Sequence, residues 1–85
     1  MKAQLNLSET VNRINEFEGG NLTIQKYVEL FSHLVANGQA WTLQGMYGRT
    51  AMNLIENNII EKDGAITQEA IDEYWGKPEL MLYNE

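Results

Sequence analysis

The stretch Thr23-Ile24-Gln25-Lys26-Tyr27-Val28-Glu29-Leu30-Phe31-Ser32-His33-Leu34-Val35-Ala36-Asn37-Gly38 decides the fold class. Ile24, Tyr27, Val28, Phe31, Leu34 and Val35 recur at the three-and-four spacing that lines one face of an α-helix. Gln25, Lys26, Glu29 and Ser32 fall on the other side. Thr23 is placed to cap the start, and Leu22 before it can staple against Tyr27. Gly38 ends the run.

Upstream, Leu7, Val11, Ile14 and Phe17 predict a second amphipathic helix from residue 7 or 8 to residue 18. Asn6 or Ser8 caps it, with Glu9 in the first turn where the helix dipole favours an acid. Gly19-Gly20 stops it and lets the chain reverse. Downstream, residues 40–44 read as a short helical turn. Tyr47, Ala51, Leu54 and Ile55 then resume helical spacing until Asn57-Asn58. Gly45 and Gly48 interrupt the pattern, since a mid-helix glycine costs about 1 kcal/mol relative to alanine. One bent helix and two separate ones fit residues 40–57 equally. Asp63-Gly64 is a strong turn signal between two short apolar pieces, so a minimal β-hairpin or a bare loop spans residues 59–67. Thr67 caps a last helix through Trp75, with Ile66 stapling against Ile71, and with Gly76 and Pro78 closing it. The expected fold is therefore all-α or mostly α, a compact bundle of four to five short helices. It forms a single domain over residues 1–85, with residues 76–85 as a docking tail that carries Leu80, Met81, Leu82 and Tyr83.

Length and composition narrow the function classes. Eighty-five residues with one proline and no cysteine make one small domain, without a disulfide framework, thiolate metal site or cysteine nucleophile. No apolar run approaches the roughly 18 residues needed to span a bilayer, and no signal-type stretch follows Met1. Charge is uneven. Residues 1–55 hold four acids and four bases, whereas residues 56–85 hold eight acids and two bases, which places the whole net charge of −6 in the last part. Such a surface repels phosphate backbones, so direct nucleic-acid binding is not expected. A basic protein partner, or mimicry of nucleic-acid charge, suits the same field, and so does solubility alone.

Few residues support catalysis. Asp63-Gly64 mimics part of a calcium-binding loop, but that register would put Ile59 and Ala70 at ligand positions. His33 is the only histidine, which excludes a His-rich zinc site; a flanking position on its helix is the simpler reading than a general base. No strand–nucleophile–helix context surrounds any serine or threonine. No cofactor, metal or catalytic residue is expected. The segment Gln44-Gly45-Met46-Tyr47-Gly48-Arg49-Thr50 alone looks specified beyond its patterning. It lacks the Lys-Ser/Thr of a phosphate loop. It reads either as a close-packing helix whose Arg49 pairs with a local acid, or as a partner surface built from Trp41, Tyr47 and Arg49, residue types enriched at binding hot spots.

Residues 35–60, centred on Ala40-Trp41-Thr42-Leu43-Gln44-Gly45-Met46-Tyr47-Gly48-Arg49-Thr50-Ala51 and followed by Leu54-Ile55-Glu56, resemble a motif of small uncharacterised tailed-bacteriophage proteins. The resemblance implies a phage origin and a place in the cytoplasm of the infected bacterium, and it transfers no catalytic residue. Phages encode many short acidic proteins that disable host machinery, anti-CRISPR inhibitors among them. The expectation is thus a non-enzymatic binding protein that engages a host protein, and a basic nucleic-acid-binding groove on that protein would suit the acidic surface. Trp41, Tyr47 and Arg49 would anchor it, and Asp72 and Glu73 on the last helix would steer it. The alternative is a self-associating phage accessory protein, a homodimer built on Trp75 and the tail.

Overall fold

The computed structural model describes residues 2–75. Among them it contains four α-helices: α1 (Leu7–Glu18), α2 (Ile24–Ala36), α3 (Gly45–Glu56) and α4 (Gln68–Tyr74). The all-α expectation holds. The interrupted region resolves into two elements, a 3-10 turn at Gln39–Trp41 and then α3. The hairpin is reduced to one antiparallel bridge between Ile60 and Ile66. The predicted closure at Gly76 and Pro78, and the docking tail, lie outside the described residues. None of the described helices is long and apolar enough to cross a membrane.

Helix α2 is the centre of the molecule. Val28, Leu30, Phe31, Ser32, Leu34 and Val35 are all buried, an arc wider than one amphipathic stripe. Around it, Phe17 from α1, Tyr27 and Phe31 from α2, and Tyr47 from α3 form a four-ring cluster. Centroid separations run from 5.4 to 5.9 Å, with Phe17 and Tyr27 each edge-on to Phe31. Such pairs contribute about 0.5–1.5 kcal/mol beyond the area that they bury. A half-buried ion pair, Arg13 Nη1 to Glu29 Oε1 at 3.0 Å, clamps α1 to α2.

Two sequence expectations are corrected. Helix α1 does not bury the stripe that starts at Leu7 and Val11. Leu7 is 80% and Val11 48% exposed, while Thr10 is buried and Ile14 and Phe17 pack on the core. Burying Thr10 costs little because its hydroxyl donates to the Asn6 carbonyl at 2.8 Å. Ser32, assigned to the polar side of α2, is fully buried. Its Oγ donates to the Gly64 carbonyl at 2.6 Å and accepts the Ala3 N–H at 3.0 Å, so one hydroxyl joins three distant segments.

Gly64 explains why that junction forms. Its φ is +95°, and a Cβ there would lie 2.7 Å from the Ser32 carbonyl oxygen and 2.9 Å from the Ala36 nitrogen. Only glycine allows both the backbone conformation and the close approach. Asp63 shapes the same turn. Its carboxylate accepts the Ala65 N–H at 2.9 Å. That bond, assisted by Lys2 at 3.6 Å, holds the carboxyl below the usual carboxylate range.

Candidate functional site

The chain enters α3 without the devices that start its other helices. Asn6, Thr23 and Thr67 each accept a first-turn N–H in their side chains, whereas Gln44 makes no capping hydrogen bond. Glycines occupy the first and fourth positions of α3, three apart and therefore on one side of the helix. Each lies beneath a large side chain. A Cβ on Gly48 would meet the Trp41 ring at 3.8 Å and the Ala40 carbonyl at 3.6 Å. A Cβ on Gly45 would lie 3.3 Å from the Arg49 guanidinium. The bare backbone thus forms the floor on which Trp41 and Arg49 rest.

The result is a shallow groove of about 600 Å³ lined by Trp41, Gly45, Gly48, Arg49, Met52 and Asn53. Trp41 is 48% and Met52 44% exposed, and Leu43 and Met46 add apolar surface nearby. Arg49 is exposed and has no ion pair or hydrogen bond among the described residues. The local acid that the packing interpretation required is not found there.

Of the predicted anchors, Trp41 and Arg49 meet in this groove and Tyr47 does not. Tyr47 is 3% exposed and points the other way, into the aromatic cluster between Phe17 and Phe31. Its hydroxyl donates to Glu18 Oε2 at 2.6 Å. Burial first, then the adjacent carboxylate, pushes its pKa well above the ordinary tyrosine value. Tyr47 belongs to the core because the buried face of α3 runs through Tyr47, Ala51 and Leu54. The groove residues 45, 48, 49 and 52 occupy the opposite face. Sequence reading missed Met52 and Asn53, although the 45–48–49–52 spacing already put Met52 on the side of the two glycines and Asn53 lies one turn beyond Arg49.

Asp72 and Glu73 are exposed on α4, and neither lines the groove. Asp72 accepts a hydrogen bond from Gln68 Nε2 at 2.9 Å, one turn away. A second cleft of about 540 Å³ lies between the end of α3 and the start of α4, with Glu61, Lys62 and Glu69 among its lining residues. No cluster of three or more metal-ligating side chains forms among the described residues. His33 meets no carboxylate there. Its Nδ1 accepts the Leu5 N–H at 3.4 Å, and its Nε2 lies 3.3 Å from the Asn37 side-chain amide.

Comparison with known proteins places the chain in one family. The family model described as a domain of unknown function (DUF7417) matches residues 5–75, and the chain belongs to that family. No curated protein and no solved structure matches it.

Proposed function

We propose that this member of the DUF7417 family is a non-enzymatic binding protein that engages a host protein through the groove between Trp41 and Arg49. The observation that carries the reading is a concentration of broken stability rules. An uncapped helix start, two glycines in its first turns, a half-exposed tryptophan and an unpaired arginine all meet at one place. Well-folded chains keep such local conflicts mainly where function requires them. Exposed Trp and Arg side chains beside an apolar cleft are the groups that dominate protein interfaces.

The resemblance to tailed-phage proteins supports a phage origin and action in the infected bacterial cytoplasm. Within that setting the chain is an anti-defence or host-takeover inhibitor, of the kind that includes anti-CRISPR proteins. Asp72 and Glu73 belong to a separate acidic surface. Its role is to speed the approach of a target with a basic nucleic-acid-binding groove, not to anchor it.

Affinity capture from a bacterial host lysate, with mass spectrometry, tests the proposal. The wild-type chain is expected to retain one specific protein. Trp41→Ala and Arg49→Ala are each expected to lose it by tenfold or more. Reversing charge at Asp72 and Glu73 should slow association and flatten its salt dependence. A partner held equally by every variant overturns both surfaces. A stable dimer that captures nothing supports self-association instead.

A further inference from the structure

We infer that the element received by the Trp41–Arg49 groove is an acidic, apolar peptide segment: a carboxylate side chain next to a bulky aliphatic or aromatic one. This inference rests on the groove being a partner surface and specifies its chemistry. The argument is charge complementarity within a small space. Arg49 is a permanent cation in a chain of net charge −6, and no described acid neutralises it. Arginine's planar fork matches a carboxylate, donating two parallel hydrogen bonds that lysine cannot reproduce. Gly45 fixes where that fork lies. With no Cβ at position 45, the guanidinium can settle against the first turn of α3, with its Nη1 3.3 Å from where a methyl would stand. The charge is thereby placed beside the groove floor while it stays exposed to solvent.

The remaining lining sets the second half of the chemistry. Met52, one helical turn beyond Arg49, presents thioether surface to the groove. Trp41, from the preceding 3-10 turn, presents aromatic surface to the same groove, with Gly48 leaving the floor beside the indole open. Met adapts to varied apolar shapes, and Trp gives a rigid wall. A cleft of about 600 Å³ is in the range of small-molecule and side-chain sites, so it suits one or two inserted side chains. A phosphate-rich polymer would meet the same arginine but also the repulsion of the acidic end of the chain. A single carboxylate on a mainly apolar segment largely avoids that penalty.

Selection from a random heptapeptide library on the immobilised full-length chain tests this. Enriched peptides are expected to place Asp or Glu within two positions of Leu, Met, Phe or Trp. Individually titrated, they are expected to bind Arg49→Gln about tenfold or more weakly, and to weaken comparably when their acid is replaced by its amide. Gly45→Ala, which displaces the guanidinium while leaving its charge, is expected to give an intermediate loss. Circular dichroism establishes that each variant is folded. Enrichment of basic or uncharged peptides overturns the inference, as does equal binding of acidic peptides to Arg49→Gln. If such peptides still lose binding in Trp41→Ala, the groove survives as a partner surface and only its proposed chemistry falls. If no peptide is enriched over the Trp41→Ala chain, both fall.

Discussion

Helices α1 and α3 are each twelve residues long, and each sends one aromatic ring into the cluster around Phe31, yet they begin in opposite ways. At the start of α1, Asn6 accepts the Glu9 N–H at 2.7 Å and Glu9 accepts the Asn6 N–H at 3.1 Å, a reciprocal capping box. Helix α3 starts from Gln44 with no side-chain cap and has glycine at its first and fourth positions. Physical chemistry offers α3 the same improvements that α1 uses, and the chain does not take them. Under the proposed function, the difference separates a part of the molecule shaped for stability from a part shaped for binding.

Removing the shared centre should erase the contrast. Phe31→Ala empties a fully buried site in contact with Phe17, Tyr27 and Tyr47. It is expected to cost about 3–5 kcal/mol in urea denaturation, a large part of the roughly 5–15 kcal/mol available to a domain. Both helices should melt together. Gly64→Ala comes next, at about 2–3 kcal/mol, because it forces an alanine into positive φ against the Ser32 carbonyl.

Tyr47→Phe probes the firm side of α3 alone. Losing the hydrogen bond to Glu18 should cost about 1 kcal/mol at neutral pH. The sign with pH follows from the raised pKa. The folded state favours the neutral phenol, so the contribution is complete below pH 10 and declines as pH rises past it. Wild-type melting temperature should therefore fall more steeply above pH 10 than that of Tyr47→Phe.

The smallest effects sharpen the comparison most. Asn6→Ala is expected to cost about 1 kcal/mol, whereas Gln44→Ser should stabilise by up to about 1 kcal/mol. Gly48→Ala should add about 0.5–1 kcal/mol, since its methyl would make only ordinary contacts with Ala40 and Trp41. If both α3 variants are stabilised but bind the captured partner less well, the unimproved start of α3 serves binding. Stabilisation with binding unchanged would leave the glycines without that role.

How much of this was legible depended on whether the deciding contact was local. Helix α2 was readable because its cap, staple and stripe lie within one segment, as was the cap of α4. The burial of Ser32 was not, because its partners Ala3 and Gly64 are 29 and 32 residues away and no nearby residue signals them. The face of α1 was misread for a related reason. Leu7 outranks Thr10 in hydrophobicity, but the Asn6 carbonyl satisfies the threonine hydroxyl, and the chain turns that side inward. In the groove, Trp41 and Arg49 were identified by type, and Tyr47 was assigned to the same surface by type as well, although the helical phase it shares with Ala51 and Leu54 already put it on the apolar stripe. Fixing that phase on Tyr47, Ala51 and Leu54 separates the two faces.

The Ser32 hydroxyl has a further consequence for slow motions. The amide of Ala3 lies outside every helix, yet its proton is held by an oxygen that also secures the turn at Gly64. Its deuterium uptake should therefore follow the opening of that distant turn, so that two regions far apart along the chain report a single unfolding event.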